Sequence, residues 1–167
     1  MMRDSDGWKC HCGGKRALTA AAAFAMSGGM ASNYTGPVPK PTPETKPFWD
    51  AAKRRELALQ FCLECGQYYF YPRPLCPQCL SRRVEWRRVS GRGKLHTFVV
   101  NHRPPRNFPT QTAFAIGIVE LDEGPKLMSN IVGVEPDPQR LRCDMPVEVV
   151  FEDITDAITL PKFRPRV

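Results

Sequence analysis

No stretch of this 167-residue chain approaches the ~18 consecutive apolar residues that a helix needs to cross a membrane. Histidine is scarce, with three in all. His11 lies in an irregular leader, His96 inside a strand pattern, and His102 where that strand runs into a loop. A nucleophile needs a base within hydrogen-bond reach, and a general acid or base needs a tuned environment, so the chain offers little for catalysis of its own. Cys143 is the one cysteine outside any cluster after the leader, and it reads as a small buried apolar residue rather than a nucleophile. The acid pairs Asp122–Glu123 and Glu152–Asp153 fall at expected turns or strand ends, where solvated charge belongs. No catalytic residue is therefore assigned.

Acids are also missing from one region. Between positions 82 and 106, Arg82, Arg83, Arg87, Arg88, Arg92, Lys94, Arg103 and Arg106 face Glu85 alone, within a chain of formal charge +7. Such a stripe suits a polyanion, either nucleic acid or the phosphates of a nucleotide cofactor. A solvated face that offsets a metal–thiolate charge is the plainer reading. Trp86, Phe98 and Phe108 lie among these arginines, as base-stacking platforms would.

What is present divides into three parts. Residues 1–43 read as a disordered leader and a proline-rich arm, with Met30 a second plausible start and four prolines between positions 34 and 44. Cys10, His11 and Cys12 in that leader lack the turn that lets a chain wrap an ion, and are expected to be unstructured. Residues 44–90 read as a helix plus a metal ribbon, and residues 91–167 as a small barrel. Reduced C-x-x-C pairs and the missing membrane span fit a cytoplasmic protein.

The ribbon carries the strongest signal. Thr45 is a reasonable N-cap, Pro47 suits a first turn, and Phe48, Trp49 and Ala52 give a short helix one apolar side. Such a helix must dock, either on its own domain or on a partner. Leu57, Leu59 and Phe61 then alternate into "CLECGQYYFYPRPLCPQC", which places Cys62, Cys65, Cys76 and Cys79 in two C-x-x-C knuckles with ten residues between them. Each knuckle turns two sulfurs to the same side, so four thiolates can surround zinc at about 2.3 Å. A closed site of this kind is structural. Two disulfides, or iron in a rubredoxin-like electron carrier, are the alternatives. Arg73, Arg82 and Arg83 are the cations at hand to offset the thiolate charge.

After the ribbon a period of two dominates. In "GKLHTFVVNHR" Leu95, Thr97 and Val99 fall on one side and His96, Phe98 and Val100 on the other. "TAFAIGIVELDEGPKLMSNIVGV" reads as two strands about a turn at Glu123–Gly124. "MPVEVVFEDI" alternates Val147, Val149 and Phe151, and "DAITLPKFRP" adds a last strand or tail. The fold class is mainly β, with a short N-terminal helix, a four-cysteine zinc ribbon and then a small OB-fold barrel of four or five strands.

Taken together, "PTPETKPFWDAAKRRELALQFCLECG", "PLCPQCLSRRVEWRRVSGRGKLHTF", "VELDEGPKLMSNIVG" and "MPVEVVFEDITDAITLPKFRP" resemble the acyl-CoA-associated OB-fold family, domain of unknown function 35, with its rubredoxin-like zinc ribbon. The resemblance covers residues 39–165 and departs at Cys143–Asp144, where relatives often carry a small residue, typically glycine. It implies a non-catalytic accessory subunit beside a thiolase-like enzyme, whether thiolase, aldolase or acyltransferase, in a hetero-oligomer serving steroid, lipid or aromatic catabolism. Cys62, Cys65, Cys76 and Cys79 carry over as the ligands of a structural zinc. A coenzyme A thioester is the expected ligand shared with the partner. In the loop "RPPRNFPTQT" Arg103 and Arg106 are the candidates for its phosphates and Phe108 for an apolar part of the substrate. A nucleic-acid-binding zinc-ribbon and OB-fold protein is the competing class.

Overall fold

The computed structural model describes Tyr34, residues 36–104 and residues 112–166. The Cys10–Cys12 cluster, Met30, Arg106 and Phe108 lie outside the described residues. Helix α1 spans Lys46–Lys53 with Pro47 in its first turn and buries Phe48, Ala51 and Ala52. Thr45 flanks the helix as expected, yet its side chain makes no capping bond. A turn before the helix takes the hydroxyl instead: the Thr42 backbone N–H donates to Thr45 Oγ1 at 2.9 Å. The helix docks on its own chain, where Phe48 meets Phe70 with ring centroids 5.6 Å apart. Beyond the helix, Arg55 donates to the Phe151 carbonyl at 3.1 Å and pairs with Asp153, which Lys53 also approaches.

Three strands make the ribbon sheet, β1 (Ala58–Cys62), β2 (Tyr68–Tyr69) and β3 (Val84–Arg88), in the order β2-β1-β3 with antiparallel neighbours. The third is not apparent in the sequence, because its arginines resemble a solvated loop. In the sheet, Arg87 lies 3.6 Å from the centre of the Phe61 ring and pairs with Glu85. Gln60, buried on β1, accepts a hydrogen bond from the Arg73 backbone N–H at 2.7 Å. This ties the "PRP" connection to the sheet.

Five strands close the barrel: β4 (Arg92–Asn101), β5 (Phe114–Leu121), β6 (Lys126–Ile131), β7 (Pro146–Asp153) and β8 (Thr159–Pro165). Their order, β4-β5-β6-β8-β7 and back to β4, is that of an OB-fold, with one parallel contact where Ile131 meets Phe163. Leu95, Val119, Val147 and Phe163 fill the interior and are at most 1% exposed. Phe48, Leu57, Leu59 and Val89 belong to that same apolar cluster, so the helix and the start of the ribbon share the barrel's core.

Strict alternation fails in β4. Leu95 pairs with Val119 but Thr97 pairs with Ile118, so His96 is an extra residue and a β-bulge reverses the facing beyond it. Phe98 and Val100 turn to the core side, while Val99 is 62% exposed. The reading of Cys143 is also corrected: it is exposed, in the turn before β7, while Leu141 beside it is buried. Asp144 follows with φ of +63°, and its N–H donates to the Leu95 carbonyl at 2.7 Å. That left-handed position accounts for the departure noted there, since aspartate tolerates it better than most residues with a side chain.

Candidate functional site

The four cysteines of the ribbon are brought together as the spacing predicts. All four Sγ atoms lie within 4.8 Å of one another, with Cys62–Cys79 at 3.5 Å and Cys65–Cys76 at 3.6 Å. Sulfurs placed tetrahedrally about 2.3 Å from zinc stand roughly 3.8 Å apart, so the cluster has the right size. None is joined in a disulfide. Matching backbone bonds build the two knuckles. Gly66 N–H donates to the Cys62 carbonyl at 3.0 Å and Leu80 N–H to the Cys76 carbonyl at 2.9 Å, and both donors sit in the left-handed region. Two further bonds brace the knuckles: Leu63 N–H donates to the Arg83 carbonyl, joining the first knuckle to the approach to β3, and Cys76 N–H donates to the Ser81 carbonyl within the second, both at 2.9 Å.

The thiols differ in acidity. A hydrogen bond from the Cys65 backbone holds Cys62 at about 7, whereas loss of solvent pushes Cys65 up to about 12. Without a cation the cluster retains protons; a divalent, thiophilic ion is what lets all four sulfurs ionise together. Zinc fits this donor set, and four protein ligands leave no position for water or substrate. Cys62 and Cys76 are fully buried, so the ion would stiffen the ribbon and stand apart from chemistry.

Four of the seven described cations in the arginine stripe are paired with acids. Arg83 pairs with Glu64, Arg87 with Glu85, Arg88 with Glu56, and Lys94 with Glu120 and Asp144. Sequence proximity missed these acids because strand pairing supplies most of them from elsewhere. Trp86 and Phe98 pack against the core cluster instead of standing free as platforms. Both observations take weight from the nucleic-acid reading. Arg103 is exposed just past the end of β4, and its backbone N–H donates to Asn101 Oδ1 at 3.0 Å. His102 lies beside it, on the rim of an open hollow shared with Thr112 and Pro136.

One surface escaped the sequence reading. On the outer face of the barrel Thr97, Ile118 and Met128 align across β4, β5 and β6, followed by Val99, Ile116 and Asn130. Met128 is 76% exposed. This face runs into an apolar hollow of about 220 Å³ between the helix and barrel, lined among others by Trp49, Tyr71, Met128 and Leu160. Val99 on β4, Ile116 and Ile118 on β5 and Met128 on β6 give this face its apolar character. The signal in the sequence was the pair Val99 and Met128, and the bulge at His96 disguised it.

A closed thiolate cage carried on a three-stranded ribbon, joined to an OB barrel, defines a structural zinc-ribbon and OB-fold protein with an apolar outer face. Two family models match in the same order: the ChsH2 rubredoxin-like zinc ribbon domain over residues 49–85 and the ChsH2 C-terminal OB-fold domain over residues 86–152. The chain is 35% identical to a DUF35 domain-containing scaffold protein of Pyrococcus furiosus, over 71% of this chain and 90% of that one. It is 36% identical to a probable enoyl-CoA hydratase alpha subunit of Thermomonospora curvata over 72% of this chain, but spans only 37% of that protein's length. Among solved structures, the chain matches one titled Ltp2-ChsH2(DUF35) aldolase at a TM-score of 0.70 and 32% identity, covering 78% of this chain and 100% of that one. The chain belongs to the DUF35 family, in the branch that joins a rubredoxin-like zinc ribbon to an OB-fold.

Proposed function

We propose that this chain is a non-catalytic accessory subunit that docks on a thiolase-like enzyme and helps form that enzyme's acyl-CoA site. The observation that carries the reading is the family match together with the apolar outer face: a DUF35 scaffold fold that leaves Val99 and Met128 exposed beside the Trp49–Tyr71 hollow. The aldolase title of the matching structure and the hydratase name of a longer relative support an acyl-CoA-processing partner, and steroid, lipid or aromatic catabolism is the setting of this proposal. The partner's reaction is the enzyme's own. This chain contributes a rigid surface, and the thiolate cage keeps that surface in shape. A four-thiolate metal site needs reduced cysteines, which fits a reducing, cytoplasmic setting.

In this reading the 103–112 loop lies at the shared site, with Arg103 and Arg106 toward coenzyme A phosphates and Phe108 toward an apolar part of the substrate. The test uses the co-purified complex, comparing the wild type with the double variant Arg103→Ala, Arg106→Ala. Hydrogen bonds to a charged group contribute about 1.5–3 kcal/mol each, so KM for the acyl-CoA should rise on the order of tenfold or more with kcat little changed. Unchanged KM and unchanged coenzyme A affinity would remove the loop from the site. A chain that purifies alone from cells containing its natural enzymes would remove the accessory role itself.

A further inference from the structure

The two knuckles share their hydrogen bonds but differ at one position. Where the first turns through Gly66 at φ of +67°, the second turns through Leu80 at φ of +60°. A Cβ is disfavoured there, and glycine would adopt the same backbone freely. Leu80 is nonetheless 71% exposed, so burial in its own ribbon does not offset that strain. Residues held in a disfavoured region cluster at functional sites, and here the strained side chain is a large apolar one pointing to solvent.

Leu80 is not isolated. It forms one wall of an open groove of about 270 Å³ with Arg73, Pro74, Leu75, Cys76 and Pro77. Leu63, at the matching tip of the first knuckle, is 44% exposed. One cation lines the groove and a second lies near Leu80 in the sequence. Arg73 lines it and Arg82 follows Leu80 by two residues, and neither guanidinium has an ion pair among the described residues, unlike Arg83, Arg87 and Arg88 nearby. An apolar knob with unneutralised cations at its side fits a segment that offers an apolar cleft edged by carboxylates.

From this we infer that the second knuckle is a docking anchor: Leu80 inserts into an apolar cleft of the enzyme subunit, and Arg73 and Arg82 meet carboxylates at its rim. This rests on the accessory-subunit reading and deepens it, by adding a contact on the ribbon, separate from the barrel face and from the 103–112 loop.

The experiment measures binding of the purified, zinc-loaded chain to the enzyme subunit with which it co-purifies, by biolayer interferometry. Leu80→Gly should raise the urea midpoint of the chain, because the strain is released, while raising Kd for the subunit at least tenfold. Leu80→Met should stay within threefold of the wild type, and Arg73→Glu with Arg82→Glu should raise Kd at least tenfold and more at low salt than at high. Leu80→Gly binding within twofold of the wild type would overturn the anchor, and so would a lowered urea midpoint, which would make Leu80 a residue of its own domain. If the subunit binds and the loop variants alter KM while the Leu80 and arginine variants do nothing, this inference alone falls. If no enzyme subunit binds the wild type, both fall.

Discussion

Between Cys62 and Val84 the ribbon has a buried cluster of three residues, Cys62, Tyr69 and Cys76, two of them metal-binding candidates. The barrel closes over Leu95, Val119, Leu127, Val147 and Phe163, every one apolar. The first region is too small to exclude water from much surface, and the second is large enough to do so without help. One therefore depends on ion–sulfur bonds and the other on hydrophobic burial. The seam between them belongs to the barrel, because Leu59 on β1 and Leu57 and Val89, which flank the ribbon sheet, are buried in its cluster.

Removing the metal should break this comparison most sharply. Structural zinc contributes about 10–16 kcal/mol in small thiolate modules, far more than any single side chain of the barrel. Chelation, or Cys76→Ser, should release the ribbon: the amides of Gly66, Cys76 and Leu80, which close the knuckles, should exchange at nearly unprotected rates. Amides of Leu95, Val119 and Val147 should keep their protection. Hydrogen exchange read residue by residue decides it, and simultaneous loss in both regions would mean that ribbon and barrel form one cooperative unit.

The converse substitution is Phe163→Ala. Phe163 is 1% exposed and sits at the one parallel contact of the barrel, opposite Ile131. Truncating such a side chain costs about 3–5 kcal/mol. Thermal unfolding should move down accordingly while the purified protein still holds one zinc per chain. Metal lost together with barrel stability would again argue for one unit. Gly91 stands at the junction with φ of +70°, and a Cβ there would clash with Val149 Cγ1, so the connection accepts no side chain.

The two regions were also unequally legible. Cys62, Cys65, Cys76 and Cys79 announced the cage by spacing alone, since a C-x-x-C turn is local and its geometry travels with the residues. Strands β5 and β6 were visible about the turn at Glu123–Gly124, where the Gly124 N–H closes on the Leu121 carbonyl at 2.9 Å, and β7 in its alternation, while β8 read as a last strand or tail. What stayed hidden depended on distant pairing. Strand β3 was masked by its arginines: Arg88 finds its acid, Glu56, ahead of β1, and Arg83 just before the strand takes Glu64 from the first knuckle. The face of Val99 was misassigned because a bulge is a property of two strands, and only the Leu95–Val119 and Thr97–Ile118 register shows it. Cys143 was assigned to the interior on residue type, but the left-handed turn at Asp144 leaves it outside. Leu80 drew no reading, since nothing in one sequence states that its backbone is left-handed.

The smallest expected effect concerns the staple that holds the helix end on the barrel. Asp153 is kept below the ordinary carboxylate range first by the Thr159 hydroxyl and then by Arg55 and Lys53. A carboxylate whose folded value is depressed stabilises the fold above its unfolded pKa of about 3.9. That contribution is lost as pH falls through the folded value, because the unfolded chain takes up the proton first. The carboxylate is 44% exposed, so screening limits the ion-pair part to at most about 1 kcal/mol. Asp153→Asn should therefore lower the urea midpoint slightly at pH 7, and the gap from the wild type should close as pH drops below the ordinary carboxylate range. Acid also protonates the cage thiolates and frees the metal, but that loss is the same in both proteins and cancels in the difference. A gap that stayed constant down to acid pH would show that the substituted amide disturbs packing at Thr159 and that charge contributes nothing at the seam.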